Sequence, residues 1–457
     1  MKRRTVLATL GAFGVMGGSL NMRAQAATKD SPKVAGWQNW SRSLPTPKAP
    51  VVVPEDTTAL KALINKTEGG VRPVGSGHSW TGLVPCDGAI VQLDNFNAIG
   101  AIDADAQTAW LGAGARLKDL SPGLADKGLA FRNLGDIDVQ TLAGSTSTAT
   151  HGTGATLPCL AAEIKGLRMV TGAGEDMEIS AEKNSDLLPV AQVGLGALGI
   201  LTEIQMQLVA RHKLHRRVWF APYQDVLSNA EAYWAGNRNF EFMYLPFSDT
   251  AMCISHNITE AEDTRREKDE SDDGVMQLKA LRDWLSWFPY LRKKLLAAAI
   301  SGAPEEDVVG ESWQLLSSAR NVHFNEMEFH LPVSEGLAAL DEVRAHIERH
   351  RGDVFFPFEC RMTAQDSAWL SPFNDGPRIS VAVHTHAPDD YAFLFTEIEP
   401  IFRRRGGRPH WGKLNRLGGD DMRALYPQFD GFAKLRTELD PKGRLLNPYL
   451  RDLFGAG

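Results

Sequence analysis

Arg72-Pro73-Val74-Gly75-Ser76-Gly77-His78-Ser79-Trp80 is the stretch on which the reading of this chain turns. Val71 to Val74 reads as a short strand that runs straight into glycines. Gly75 and Gly77 flank Ser76, and glycine on both sides lets backbone amides approach an anion in dihedrals other residues avoid. Before it, Thr57 to Asn65 reads as a helix with Leu60, Leu63 and Ile64 on one face. After it, Ala89 to Leu93 and Thr108 to Leu111 read as strands and Leu117 to Lys127 as a helix. Glu163 to Thr171 and Ile200 to Val209 are further β-rich runs. Strands and helices joined at glycines indicate an α+β or α/β domain over 51–210.

A second loop of the same kind is Gly144-Ser145-Thr146-Ser147-Thr148-Ala149-Thr150-His151-Gly152-Thr153-Gly154. Its small residues, hydroxyl donors and glycines suit a pyrophosphate cradle. Either loop alone is a weak signal, but two in one domain carry weight together. A third stretch, Gly194-Leu195-Gly196-Ala197-Leu198-Gly199, spells G-x-G-x-x-G. It is refused as a dinucleotide fingerprint, because that motif follows a strand and opens a helix. Here it follows a predicted helix, Asp186 to Val193, and opens a strand. A nicotinamide-dependent dehydrogenase is therefore disfavoured.

On Gly75-Ser76-Gly77-His78-Ser79, Thr150-His151-Gly152-Thr153-Gly154 and the glycine run to Gly199, residues 51–208 resemble the FAD-binding domain of the vanillyl-alcohol oxidase superfamily. His410-Trp411-Gly412-Lys413 and Leu446-Asn447-Pro448-Tyr449-Leu450-Arg451 extend the resemblance to the C-terminus. Within that group the chain is similar to the aldonolactone oxidoreductases and their alditol oxidase relatives. The resemblance implies a two-subdomain FAD-binding domain, an antiparallel-sheet substrate (cap) domain over 211–409, and a C-terminal segment, 410–457, returning to the flavin site. It implies that FAD meets Gly75, Ser76, Gly77, Ser79, Gly135, Gly144, Ser145, Thr148, His151, Gly152, Gly154, Gly199 and Ile200. It also implies that His78 bonds to the flavin C8 methyl, although a lone loop histidine is more often a surface or capping residue. Gly135 matches a position that is glycine in the family's oxidases and alanine in its oxygen-shy dehydrogenases.

The second region reads as strands at Arg216 to Phe220, Phe240 to Tyr244, Met252 to Ile258, Val322 to Pro332, Val354 to Thr363 and Ile379 to His386, with a helix near Gln224 to Trp234. Glu260 to Asp273 reads as an exposed charged loop, and Leu278 to Ile300 as a helix broken at Pro289. Oxidising a carbinol removes a hydride and a proton, so the site needs a positive group and polar partners. Glu359 and Arg361 alternate to one side of their strand. On the residues alone they make an ordinary salt bridge on a solvated face, whereas the resemblance places them in the substrate pocket. There Arg361 would balance charge on the reduced flavin and grip the substrate, and Glu359 would orient Arg361 and accept a substrate hydroxyl. His384 and Lys413 match family positions at the reacting hydroxyl and would aid removal of its proton. His384 and His386 could begin a metal site, but no third ligand with fitting spacing follows, so none is expected.

The expected substrate is a sugar-derived 1,4-lactone. The alternatives are an open-chain polyol or a flavin-binding electron-transfer protein without turnover. Oxygen or a periplasmic electron carrier would reoxidise the flavin. A net charge of −7 argues against a nucleic-acid partner. Lys2, Arg3 and Arg4, an apolar run from Thr5 to about Leu20, and Ala24-Gln25-Ala26 read as a signal peptide over 1–26. The Arg3-Arg4 pair resembles a twin-arginine signal, which exports folded proteins to the periplasm. Residues 27–50 read as a linker. No long apolar run follows, so no transmembrane segment is expected in the mature form. Cys86, Cys159, Cys253 and Cys360 lack metal or redox spacing.

Overall fold

The structure, a computed structural model, describes residues 36–264, 271–285, 293–296, 300 and 305–456. The signal reading over 1–26 and part of the Leu278 to Ile300 helix lie outside them. Glycine-ended apolar runs become strands as the sequence predicts. Val71–Val74 and Val51–Val52 flank Ala89–Gln92 in a three-stranded parallel sheet. A five-stranded antiparallel sheet follows, in the order Ile99–Asp103, Thr108–Gly112, Gly199–Gln207, Ile164–Thr171 and Asp176–Ile179. Gly199 opens its strand, so the G-x-G-x-x-G stretch does not lead into a helix.

The region after 210 builds an eight-stranded antiparallel sheet. Its order is Glu306–Glu311, Lys213–Pro222, Thr250–Thr259, Asn239–Leu245, Phe358–Thr363, Arg378–His386, Phe324–Pro332 and Arg408–Pro409. The helix Val333–His350 covers one face with Gly336, Ala339, Leu340, Val343 and Ile347, the spacing of an apolar stripe. It lies so close that a Cβ on Gly336 would sit 2.3 Å from Ile379 Cβ. Strand alternation then sends Phe358, Cys360, Val381 and Phe329 to the apolar side, and Glu359, Arg361, Ser380, Glu328 and His330 to the other. That polar face is buried too, because the 150–154 loop lies on it. Gly154 N donates to Met362 O (2.7 Å) and Thr153 Oγ1 to Phe240 O (2.5 Å).

Three local expectations change. The strand predicted from Val354 begins only at Phe358, since Pro357 has no N–H for the ladder. The charged run Glu260 to Asp273 ends in a helix, Ser271–Leu285, which starts before the predicted Leu278. Residues 36–50, read as linker, pack instead: Trp37, Asn39, Ser41 and Ala49 are buried, and Trp40 N donates to Gly77 O (2.8 Å). The apolar area of the tryptophans outweighs the polar, proline-bearing composition around them.

The C-terminal segment closes on the His78 loop. Trp80 N donates to Gly412 O (2.8 Å), Thr81 Oγ1 to Trp411 O (2.9 Å), and Asn447 Nδ2 to Gly82 O (2.7 Å) and Pro85 O (2.8 Å). Arg72 is the buckle beneath that loop. Its buried guanidinium donates to Leu83 O (2.7 Å), Leu195 O (2.6 Å), Gly196 O (2.7 Å) and Leu445 O (2.6 Å). The refused glycine motif therefore supplies carbonyls to Arg72, and Gly196 takes φ +62° where a Cβ would meet Pro73 Cγ at 2.8 Å. Burial lowers the Arg72 pKa to about 10, still charged at neutral pH. Each buried acceptor left unpaired costs about 1–3 kcal/mol. Arg72→Ala is thus expected to lower the unfolding free energy by more than about 3 kcal/mol in denaturant titration, and a loss within error would show the carbonyls are satisfied otherwise.

Candidate active site

The polar sheet face is built by register. Glu241 stands opposite Arg361, Arg361 opposite Ser380, and Ser380 opposite His330. One step along, Glu359 faces Ala382 and Ala382 faces Glu328, and His384 faces Glu326 beyond them. Arg361 is the centre. Its Nη2 lies 2.7 Å from Glu328 Oε1 and 3.1 Å from Glu359 Oε2, and its Nη1 lies 3.2 Å from Asp136 Oδ2. Asp136 comes from a loop of the first domain, which is pinned to the second by Ser317 Oγ donating to Gly135 O (2.7 Å) and Ser318 N to Asp136 O (2.8 Å). Glu328 also receives His151 Nε2 at 3.1 Å, joining the second glycine loop to the sheet.

These charges settle one another. Burial opposes the Arg361 charge, but Glu359, Glu328, Asp136 and Glu241 hold its pKa well above the usual range. Burial also opposes the Glu328 charge, yet Arg361 and His151 keep its carboxyl well below the usual range. Asp136 is lowered as well, by Arg361 and a hydrogen bond with Glu359 that together overcome its burial. Glu359 goes the other way: burial, with Asp136 and Glu241 adding to it, raises it well above the carboxylate range. Glu241 is pushed up to about 8 by burial and Asp136 against the pull of Arg361. Glu359 thus holds its proton more tightly than a free carboxyl does, while its Oε2 lies 3.1 Å from Arg361 Nη2. Glu328 Oε2, Glu359 Oε1 and Arg361 Nε are buried with no hydrogen-bond partner among the described residues. Orphaned polar atoms cost stability unless something bound answers them.

A second group adjoins the first. Lys413 Nζ pairs with Glu326 and lies over the Trp80 ring, 4.6 Å from its centroid. His384 Nε2 is 3.6 Å from the other Glu326 oxygen, and its Nδ1 donates to Pro357 O (3.1 Å). Burial lowers the His384 pKa; Glu326 opposes that and Lys413 adds to it. Trp80 stacks on Phe324, which meets His384 edge-on at 5.1 Å. Trp40 stacks on His78 at 4.8 Å, and burial with Lys413 and His323 nearby holds the His78 pKa down to about 4. His78 makes no hydrogen bond among the described residues. Histidine–carboxylate clusters occur here, His151 with Glu328 and His410, and His384 with Glu326 and Glu359. Arg361 and Lys413 already serve as counter-ions to them.

The two glycine loops lie side by side. A Cβ on Gly75 would stand 2.2 Å from Thr141 Oγ1, and one on Gly144 2.9 Å from the same atom and 3.8 Å from Gly75 Cα. Gly75, Ser76, Gly77, His78, Ser79, Gly144 and Thr148 are partly exposed above a buried floor. This close-approach strip of glycine backbone fits a bound pyrophosphate, while the Ser76 and Thr148 hydroxyls donate to Val139 O and Gly144 O. His151, Gly152 and Gly154 face the sheet instead, and Gly135 is confined: a Cβ there would lie 3.1 Å from His151 O and 3.3 Å from Thr150 Cγ2. Ser145 is fully buried and gives its hydroxyl to Leu142 O (2.9 Å). Gly199 and Ile200 sit inside the five-stranded sheet, where a Cβ on Gly199 would meet Met169 Sδ at 2.6 Å. The fold thus brings Glu359 and Arg361 into one cluster and His384 and Lys413 into the next, with His78 alongside. Sequence reasoning missed Asp136, Glu241, Glu326, Glu328 and His330. Three of them, Glu326, Glu328 and His330, alternate along the strand Phe324–Pro332, a pattern that a solvated strand face shares.

Comparison with known proteins agrees with this geometry. A sequence model of the family described as D-arabinono-1,4-lactone oxidase matches residues 204–453, and one described as FAD binding domain matches residues 48–180. The chain is 31% identical over 430 residues to an L-gulono-1,4-lactone dehydrogenase of Mycobacterium tuberculosis, covering 92% of this chain and 99% of the relative. It is 26% identical to the L-gulonolactone oxidase of Bos taurus, covering 92% and 98%. It is 30% identical to a mitochondrial L-galactono-1,4-lactone dehydrogenase of Arabidopsis thaliana, covering 91% and 80%. The solved structure of cholesterol oxidase from B. sterolicum superposes with a TM-score of 0.74 over 95% of this chain and 100% of that one. At 18% identity that likeness concerns the fold alone. No helix among the described residues is long and apolar enough to cross a membrane.

The raised Glu241 carboxyl has a stability consequence. The native state keeps its proton up to about pH 8, while the unfolded chain releases it near 4.5. The native state binds more protons in that window, so stability falls as pH rises through it. Glu241→Gln is expected to melt like the wild type near the lower limit and at higher temperature than wild type toward the upper one. Melting curves across the window check this, and a constant offset would contradict it.

Proposed function

The chain belongs to the D-arabinono-1,4-lactone oxidase family and is an FAD-dependent oxidoreductase acting on sugar lactones; on that premise we propose that it carries the flavin covalently on His78 and removes hydride and proton from one secondary alcohol of a 1,4-lactone at the Arg361 and Lys413 clusters. The observation that carries this reading is the buried polar face with Arg361 at its centre and orphaned polar atoms beside it.

FAD supplies the acceptor for the hydride. The chain's own residues do the rest. The 75–79 and 144–148 loops would hold the pyrophosphate with backbone amides, since the Ser76, Ser145, Thr146 and Thr148 hydroxyls already donate to carbonyls of the chain. His78, kept neutral by burial and by Lys413, would offer an uncharged ring nitrogen for the tether, and Trp40 fixes the ring plane. Arg361 is a cation that cannot lose its proton among its acids, so it balances negative charge as it develops. Glu359 orients Arg361 and hydrogen-bonds a substrate hydroxyl. Lys413 and His384 meet the reacting hydroxyl from the Trp80 and Phe324 side. A lactone ring suits the aromatic walls, while its hydroxyls need several polar partners.

Reoxidation falls to oxygen or to an electron carrier of the compartment. The glycine at 135 supports oxygen access, and the rate at which the reduced protein recovers its colour in air decides between them. We propose export of the folded, flavin-loaded protein, on the strength of Arg3-Arg4, the apolar run and Ala24-Gln25-Ala26. A tether suits a compartment where lost cofactor is not replaced. Acid precipitation of protein from a periplasmic fraction should keep yellow colour with the polypeptide, and His78→Ala should release it or lose it. Replacing Arg3 and Arg4 by lysines should leave the coloured protein in the cytoplasm. Colour released from the wild type would refute the tether and leave FAD binding intact.

A further inference from the structure

Glu326 touches both groups that the proposed chemistry places at the hydroxyl, and nothing in that chemistry uses it. It is buried on the polar face, opposite His384 in the strand register. One carboxylate oxygen takes Lys413 Nζ and the other lies 3.6 Å from His384 Nε2. The His384 ring is fixed by its other nitrogen, because Nδ1 must carry a hydrogen to donate to Pro357 O at 3.1 Å. In the neutral ring Nε2 then bears a lone pair, and Glu326 Oε1 lies 3.6 Å from that nitrogen without a hydrogen bond between them. A negative charge at that distance favours a proton arriving on the nitrogen. Lys413 already carries its full complement of protons in the ion pair, so it orients and donates.

We propose, building on the lactone oxidoreductase reading above, that Glu326 is a positioning residue for proton removal: it anchors Lys413 against Trp80 and stabilises His384 as the group whose Nε2 takes the proton leaving the substrate hydroxyl. The balance is simple. The carbinol C–H bond gives its electron pair and hydrogen to the family's FAD, the O–H bond breaks toward Nε2, a carbonyl forms, and the imidazolium later returns its proton to water. Lysine, glutamate and neutral histidine together carry no net charge before the step and one positive charge after it. Four charged or titratable groups face the His384 ring. Glu326, Glu328 and Lys413 act on its charge, and Glu359 lies within 4.8 Å of both the ring and Glu326. Of these, Glu326 is the acid in contact that favours the protonated ring.

The test uses holoenzyme with histidines labelled with carbon-13 at Cε1, the His384 signal being the one missing in His384→Asn. Glu326→Gln should move the His384 titration midpoint to lower pH by about one unit, since a carboxylate becomes a neutral amide. Anaerobic flavin reduction by L-gulono-1,4-lactone should slow about a hundredfold, with the acid limb of its pH profile moving the same way. In a His384→Asn background the same substitution should add little, because its effect runs through that ring. An unmoved midpoint, or equal slowing in both backgrounds, overturns the proposal and leaves Glu326 a structural brace. Should Glu326→Gln fail to fold, Glu326→Asp withdraws the charge without removing it, and an intermediate midpoint is expected; an unchanged one overturns the proposal. Failure of the wild type to be reduced by any lactone would refute the functional reading, while the titration midpoint still decides the part of Glu326.

Discussion

A guanidinium buried among carboxyl groups governs this molecule. Arg361 is out of water, and nothing else on its face could bear that charge without Glu328 and Asp136. Removing one partner from such a group leaves an uncompensated buried charge, at a cost of several kcal/mol. The two halves of the chain are held to one another by this need. Asp136 arrives from the flavin-side loop, His151 from the second glycine loop, and Glu328, Glu359 and Glu241 from three strands of the eight-stranded sheet. The sheet can bury charge on this side only because helices bury its apolar side, leaving alternation to send every other residue inward.

The same constraint divides the acids by protonation state. Two are held as carboxylates against Arg361, and two are pushed toward the neutral acid because a single cation cannot answer all four. One face thereby offers a fixed cation, acids of divided proton affinity and, one strand further, the lysine–glutamate–histidine group. Environments that push neighbouring titratable groups apart are how one site performs acid and base work at one pH. The His78 loop joins this face through Trp40, Trp80 and Phe324, and the C-terminal loop carrying Lys413 is tied to the Trp80 backbone N–H and the Thr81 hydroxyl.

Much of this was legible from residues alone. Gly75 to Ser79 and Gly144 to Gly154 were legible as glycine-rich loops, and Gly75 and Gly144 both pack against the Thr141 hydroxyl. The refusal of Gly194 to Gly199 rested on element order, and Arg72 now supplies the reason those glycines are there. What escaped was long-range. Glu326, Glu328 and His330 alternate as a solvated strand face would, and no local pattern distinguishes a polar face under water from one under a loop more than a hundred residues away in sequence. Asp136 stood next to Gly135 but offered no spacing to an arginine on another strand. Trp37 and Trp40 sat in a proline-bearing stretch whose composition signals a linker, and only tertiary burial overrides that.

The account stands or falls on Arg361 as the charge that supports hydride removal. Anaerobic mixing of the flavin-loaded protein with L-gulono-1,4-lactone, following loss of flavin absorbance in one turnover, measures this step apart from reoxidation. The account predicts that Arg361→Ala retains its flavin but is reduced slower by about 10²–10³-fold, the cost of deleting a preorganised charge or donor at a developing negative charge. A variant that keeps its flavin and is reduced at the wild-type rate would contradict it.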